Sequence, residues 1–223
     1  MLDAATALAS VSTCPVDTGF PDDDGDDVCD VADLCTNVAG ARDFLSSPRP
    51  RLQLAGVNAN TTPGDDKLVL QGEARLPGTG SFASVDPRTD GLRLVLRAAS
   101  GSTRLDLVLP PEPFGSHGPR GWLAVGTPVK TWRWLDRTST PLGAIYKAEV
   151  TDRAKRSPGQ VKLQVLGKAA TYPVVATDAP LEAIVVLGGA TEAAAGLCVE
   201  SAFEPGDCAT NRRGDQLTCR GGR

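Results

Sequence analysis

Residues 92–97 read Leu-Arg-Leu-Val-Leu-Arg, and this alternation of apolar and basic side chains is the pattern that decides the fold. Successive side chains of a β-strand point to opposite faces, so such a run has one face for a core and one for solvent. The same period of two recurs at residues 51–54, 104–109 and 161–165. Residues 184–187 are apolar throughout, which predicts a central strand that is buried on both faces.

Turn signals separate these runs, for example Leu-Pro-Gly at residues 76–78 and Ser-Pro-Gly at 157–159. Further strands are predicted at residues 67–75, 122–125, 129–136, 143–152 and 169–175, whereas only residues 190–203 could form a short helix. About ten short strands without alternating helices predict an all-β fold, an antiparallel β-sandwich. We divide the chain into an N-terminal arm and acidic segment (1–45), a sandwich body (46–189) and a Cys-rich C-terminal segment that closes the same sandwich (190–223).

An acidic stretch at residues 22–35 has the spacing of a calcium loop. Carboxylates at positions 1, 3, 5, 9 and 12 of a tightly turning chain converge on one point, and a backbone carbonyl at position 7 adds to the shell. The alternative is a solvated acidic linker, because a run of charges alone often indicates disorder. The spacing favours calcium, and the predicted ligands are Asp22, Asp24, Asp26, Val28, Asp30 and Asp33.

Other aspartates in predicted loops are candidates for additional calcium ligands. The commoner role of Asp in such turns is to accept a hydrogen bond from its own backbone, and both interpretations stay open. These candidates are Asp17, Asp65, Asp66, Asp86 and Asp90.

The acidic stretch resembles a thrombospondin type 3 repeat, with the pattern D-x-D-x-D-G-x-x-D-x-x-D-x-C. Cys35 falls on the final cysteine of the pattern and Cys29 lies where a second cysteine is frequent, whereas Asp27 replaces the usual glycine. The resemblance covers residues 17–35 and implies an extracellular segment that calcium organises. A calcium segment in front of a sandwich also resembles uncharacterised secreted proteins of bacteria.

Six cysteines lie near the two ends of the chain and none lies between them. An even number in a chain rich in Gly and Pro predicts disulfides and an oxidising compartment, and zinc is the competing interpretation. Pairs within each terminal cluster, or a bridge from the calcium segment to the body, are all compatible with the sequence. The six are Cys14, Cys29, Cys35, Cys198, Cys208 and Cys219.

Localisation is predicted to be extracellular or at the cell surface. The chain shows no export signal, since residues 2–13 lack a basic start, and we expect a processed product or part of a longer protein. No stretch approaches the ~20 apolar residues of a membrane span.

Charge is unevenly distributed along the chain. Residues 1–45 contain ten Asp and one Arg, a net charge of −9, whereas residues 46–223 carry 22 basic and 17 acidic residues, a net of +5. An acidic head on a basic body suits head-to-tail contact between copies. The basic residues are not concentrated enough to predict a nucleic-acid partner.

Three classes of function follow from these features. The sequence favours a calcium-binding structural or assembly protein of a bacterial surface or matrix, a filament subunit that binds other copies or other surface proteins. A carbohydrate-binding module is the alternative, because Trp132 and Trp134 lie on one face of a strand and could stack on sugars, unless they fill the core. The sequence contains no catalytic motif, and His117 stands alone in a loop, so we predict no enzyme. A hydrolase, the third class, would need two converging carboxylates among residues such as Glu73, Glu149 and Glu182.

Overall fold

The computed structural model describes residues 34–35, 44–46, 48–57, 63–76 and 82–221, and these form twelve β-strands and two short helices. The strands are β1 (Arg51–Ala55), β2 (Asp66–Arg75), β3 (Leu92–Ala98), β4 (Thr103–Leu109), β5 (Arg120–Val125), β6 (Thr131–Asp136), β7 (Ile145–Asp152), β8 (Gln160–Ala170), β9 (Leu181–Val186), β10 (Cys198–Ala202), β11 (Cys208–Thr210) and β12 (Gln216–Arg220). The helices are α1 (Pro87–Asp90) and α2 (Ala190–Ala194).

The strands form two antiparallel sheets. The large sheet has eight strands in the order β11-β12-β1-β2-β8-β7-β6-β5, and the small sheet has four in the order β10-β9-β3-β4. Neighbours within each sheet are antiparallel, including pairs that are distant in sequence such as β2 and β8. The predicted all-β antiparallel architecture is therefore confirmed.

The main core lies between the sheets and is formed by the apolar set of each alternating strand. Leu94 of β3, Leu70 of β2 and Val165 of β8 are all 0–2% exposed and belong to one cluster. Trp122 and Trp134 meet edge to face in the same cluster, with ring centroids 5.6 Å apart. The period of two selects which side chains enter the core, because each strand presents only one face to the opposite sheet.

Strand β9 is buried on both faces, as its uninterrupted apolar sequence predicts. Ala183 and Val185 face the main core, whereas Ile184 and Val186 belong to a second, smaller cluster on the other side of the small sheet. This outer face is normally solvated in a two-layer sandwich. A third element must therefore cover it.

Two details of the predicted secondary structure are wrong. The helix predicted within residues 190–203 ends at Ala194, and residues 198–202 form strand β10, because a glycine at 196 with φ of 76° ends the helical turn. The strand predicted at residues 169–175 does not form separately, since β8 continues to Ala170 and the chain then leaves the sheet.

The C-terminal segment contributes strands to both sheets. β10 pairs with β9 in the small sheet, whereas β12 pairs with β1 in the large one. β11 and β12 form a hairpin that the Cys208–Cys219 disulfide joins at register-paired positions. The predicted disulfide-stapled C-terminal segment is therefore confirmed. No helix within the described ranges is long and apolar enough to cross a membrane.

Candidate functional site

The acidic stretch at residues 22–35, which we call the acidic segment, is covalently attached to the sandwich at its last residue. Cys35 forms a disulfide with Cys198 on β10, across 163 residues of sequence and with the two Cα atoms 5.7 Å apart. Both residues are buried, at 0% and 1% exposure. This is the bridge from segment to body that the cysteine spacing left open.

The disulfide lies in an apolar patch on the outer face of the small sheet, which we call the anchor patch. Val95 of β3 and Ile184 and Val186 of β9 form its base, and each is at most 3% exposed. Ala193 of α2 closes one side, and Leu34 packs against the cluster beside the disulfide. The acidic segment thus ends on the sheet face whose apolar residues need a cover.

Hydrogen bonds from Phe44 and Leu45, shortly before strand β1, connect the chain to both sheets. The Leu45 amide donates to the carbonyl of Glu73 on β2 at 2.6 Å, and the Phe44 amide donates to the carbonyl of Glu200 on β10 at 3.3 Å. The Phe44 ring is 5% exposed and lies over Gly72, where an added Cβ would stand 2.2 Å from the ring. Gly72 is therefore required by the close approach of an aromatic ring.

The predicted calcium ligands themselves lie outside the described residues. Asp17, the loop residues Asp22–Asp33 and the cysteines Cys14 and Cys29 all belong to this part of the chain. Asp33, the last predicted ligand, precedes the anchored Cys35 by two residues.

Asp86, a candidate for an additional calcium ligand, caps helix α1. Its carboxylate accepts from the Arg88 amide at 3.1 Å and forms a two-point ion pair with the Arg88 guanidinium. The hydrogen bonds from this guanidinium lower the pKa of Asp86. Asp90, at the end of the same helix, accepts from the Thr89 hydroxyl at 2.9 Å.

Asp66, another candidate, is fully buried at the start of β2. One carboxylate oxygen accepts from the Tyr172 amide at 2.6 Å, whereas the other has no hydrogen-bond partner. Burial of the carboxylate raises the pKa of Asp66. Burial of the Tyr172 side chain, together with the charge of Asp66, raises the pKa of the Tyr172 hydroxyl. Asp65, its neighbour in sequence, is exposed.

No group of three or more His, Cys, Asp or Glu side chains within the described ranges is arranged to hold a metal ion. Asp86 accepts from a backbone amide two residues further on, the role that is common for aspartate in turns, whereas Asp66 accepts from the amide of Tyr172, which is distant in sequence. The prediction of calcium binding therefore depends on the acidic segment.

The two tryptophans predicted as a carbohydrate platform lie in the main core. Trp132 and Trp134 share one face of β6, as the spacing predicts, but that face is the inner one and the residues are 5% and 0% exposed. Arg88 stacks over the Trp132 ring at 4.6 Å. An exposed stacking platform at these residues is therefore wrong, because the sandwich uses both indoles to fill its interior.

Several buried carboxylates, which alternation could not identify, lie beside basic side chains. Glu112, at 5% exposure, accepts from Arg120 Nε at 3.1 Å and has His117 Nδ1 3.3 Å from its other oxygen. Asp178 pairs with Arg104 at 2.7 Å and accepts from the Val175 amide. These acids lie in loops between strands, so no periodic pattern marks them in the sequence.

The three carboxylates considered for a hydrolase are also engaged in ion pairs. Glu73 accepts from the Arg156 guanidinium at 3.1 Å and from the side-chain Nε2 of Gln160 at 2.5 Å. Glu149 accepts from Arg133 at 2.5 Å, and Glu182 pairs with Arg97 at 3.6 Å. They lie on strands β2, β7 and β9 of two different sheets. The structure does not bring the three together in one group.

Comparison of the chain with protein-family models, with curated proteins and with solved structures finds no match.

Proposed function

We propose that this protein is a secreted, calcium-stabilised structural protein of a bacterial surface or extracellular matrix, and that copies of it assemble. The observation that supports the proposal best is the Cys35–Cys198 disulfide on the anchor patch. It attaches the predicted calcium loop to a sandwich that otherwise needs a cover for its outer face. The disulfides are consistent with an extracellular location.

Calcium acts in this proposal through the charge of the acidic segment. Without a cation, the carboxylates of residues 22–33 repel one another and favour an extended chain. Calcium bound to the folded loop removes this repulsion. Because Leu34 and Cys35 follow the loop directly and are packed on the sheet, ordering the loop also orders the cover of the anchor patch.

The expected stabilisation follows from mass action. A cation that binds only the folded state adds RT ln(1 + [L]/Kd), about 2.7 kcal/mol at a free calcium concentration of 100 times Kd. Urea unfolding of the oxidised protein, followed by tryptophan fluorescence in millimolar calcium and in chelator, measures this difference. A free energy of unfolding that is equal in the two conditions would remove the calcium part of the proposal.

A pair of matched variants separates specific binding from net charge. Asp24→Asn together with Asp26→Asn removes two predicted ligands, and we expect the calcium-dependent stabilisation to disappear. Glu204→Gln together with Asp215→Asn changes the charge by the same amount at surface turns far along the chain, and the stabilisation should persist. Loss of the effect in both variants would mean that calcium acts only through overall charge.

Assembly is tested separately by sedimentation velocity of the purified, oxidised protein. Large species that form in calcium and dissolve in chelator are the expected result. A monomer at every concentration in both conditions would exclude assembly and leave a calcium-stabilised single module.

A further inference from the structure

The outer face of the large sheet carries a concentration of basic residues. Leu52, Leu68 and Leu163 point inward to the core, so the residues that alternate with them point to this outer face. We call this surface the basic face, and its cations are Arg51, Lys67, Arg75, Arg133, Lys147, Lys162, Lys168 and Arg220.

Within the described strands of the large sheet, two carboxylates lie among these eight cations, and both are already neutralised. Glu149 is paired with Arg133 and Lys147, and Glu73 is paired with Arg156 of the β7–β8 turn. The face therefore has a net charge of +6 before that arginine is counted. Among the residues that the structure describes, no acidic side chain pairs with Lys67, Lys162 or Lys168.

Two cross-strand pairs on this face place like charges directly opposite each other. Lys67 of β2 is in register with Lys168 of β8, and Arg51 of β1 is in register with Arg220 of β12. Like charges at directly opposite positions destabilise a sheet. Two such pairs on one face cost stability in the isolated molecule, and an anion bound over them would offset this cost.

The chain itself contains a polyanion of matching charge, and the disulfide determines on which side of the molecule it is attached. The acidic segment lies within residues 1–45, which have a net charge of −9. Cys35, near the end of this segment, is fixed to the outer face of the small sheet, which is the side of the sandwich opposite the basic face. One molecule thus attaches its acidic segment at Cys35, on one side of the sandwich, and carries a basic sheet face on the other.

We propose that the basic face docks the acidic segment of a second copy, so that molecules associate head to tail. The proposal deepens the assembly part of the proposed function by naming the two surfaces. Because the surfaces differ, the contact is heterologous and repeats from copy to copy, as a ring where the rotation between copies closes and as an open filament where it does not. This geometry gives a filament its repeating contact.

The size of the basic face is sufficient for a specific contact. From β12 to β6 the sheet has five strand spacings of about 4.8 Å, and the strands extend about 25 Å on average, which gives roughly 600 Å². Specific interfaces bury from about 600 Å² per partner. Electrostatic attraction over such an area gives fast, salt-sensitive association.

Charge reversal on the basic face tests the proposal in the full, oxidised chain. Lys67→Glu, Lys162→Glu and Lys168→Glu are combined in one variant, and the matched control combines Lys155→Glu, Arg212→Glu and Arg213→Glu, which are exposed and lie in turns. In sedimentation equilibrium at ~50 mM salt we expect at least tenfold weaker self-association for the face variant and less than twofold change for the control. Equal effects of the two variants would overturn the proposal.

The single variant Lys67→Glu adds a readout that distinguishes docking from a role in folding. It converts the Lys67–Lys168 repulsion into an attraction, so the urea midpoint of the monomer should rise while self-association falls. A lower midpoint together with weaker association would mean that the variant acts by unfolding, which contradicts the proposal.

Carbodiimide cross-linking of mixed light-isotope and heavy-isotope protein identifies the partners. Cross-links between Lys67, Lys162 or Lys168 and residues 17–33 in mixed-isotope peptides are the expected result. Cross-links within single chains only, or mixed-isotope links to other segments only, would overturn the proposal. If chelator leaves stability unchanged but these links form, the calcium part of the proposed function fails and this inference stands.

Discussion

Opening the Cys35–Cys198 disulfide tests how strongly the acidic segment is coupled to the sandwich. In the chain-entropy model, a cross-link between residues separated by 163 positions stabilises by about 5 kcal/mol at 25 °C. Replacing both cysteines by alanine should therefore lower the free energy of unfolding by about this amount. It should also abolish the calcium dependence of sandwich stability, because the loop is then no longer held on the anchor patch.

The other described disulfide provides the control. Cys208 and Cys219 are separated by 11 positions, so the same model gives about 3 kcal/mol for Cys208→Ala with Cys219→Ala. Each double variant is unfolded in urea at pH 7, in calcium and in chelator. The three buried tryptophans, which include Trp122 and Trp134, report loss of the core through their fluorescence.

Two outcomes would contradict this coupling between the acidic segment and the sandwich. If opening Cys35–Cys198 costs no more than opening Cys208–Cys219, loop closure is not what the longer disulfide contributes. If calcium still stabilises the Cys35–Cys198 variant as much as the natural protein, the loop does not act through its anchor. Either outcome would separate the acidic segment from the stability of the sandwich.

Three further predictions concern single residues. Gly72→Ala should cost about 2–3 kcal/mol in urea unfolding, because the added methyl group displaces the buried Phe44 ring. Burial raises the pKa of Asp66 in the folded state, so the free energy of unfolding of the natural protein should fall as pH rises from about 4 through the folded-state pKa. The Asp66→Asn variant should lose this dependence. Asp86→Ala should cost about 1 kcal/mol at pH 7 by removing a helix cap, and because Arg88 lowers the pKa of Asp86, the difference should vanish as pH falls through that lowered value.

Controls for these variants come from the same structure. Gly189→Ala introduces a methyl group whose nearest neighbour is 3.6 Å away, so it should cost much less than Gly72→Ala. Equal costs of the two substitutions would mean that contact with the Phe44 ring is not the reason for glycine at position 72. If the free energy of unfolding depends on pH in the same way for the natural protein and Asp66→Asn, the raised pKa of Asp66 does not affect stability. If the cost of Asp86→Ala persists at low pH, the charge of Asp86 is not what stabilises the helix cap.

The strand pattern was predictable because local sequence carries it. The alternation at residues 92–97 identified the inward leucines of β3, and the all-apolar run at 184–187 identified a strand buried on both sides. The spacing of Trp132 and Trp134 predicted that they share one face. It could not predict which face, since alternation fixes the period and tertiary packing fixes the phase.

The residues around the anchor patch show the limit of local patterns. Val95 interrupts the polar face of β3, but nothing near it in sequence indicates that Leu34 and Cys35 cover it. The required contact spans tens of residues, and six cysteines allow 15 pairings. Likewise, Gly72 reads as an ordinary glycine in a strand until the Phe44 ring is placed against it.

Four properties follow directly from the order of the residues: the period of the strands, the all-β class, the concentration of acid at one end and the expectation of disulfides. These properties are local or compositional, so neighbouring residues are enough to specify them. Tertiary structure alone decided the register that brings Lys67 opposite Lys168, the pairing of Cys35 with Cys198 and the location of the basic face opposite the anchor patch. Such relations join residues that are distant along the chain, and only the packing of two sheets around one core fixes which of the many combinations occurs.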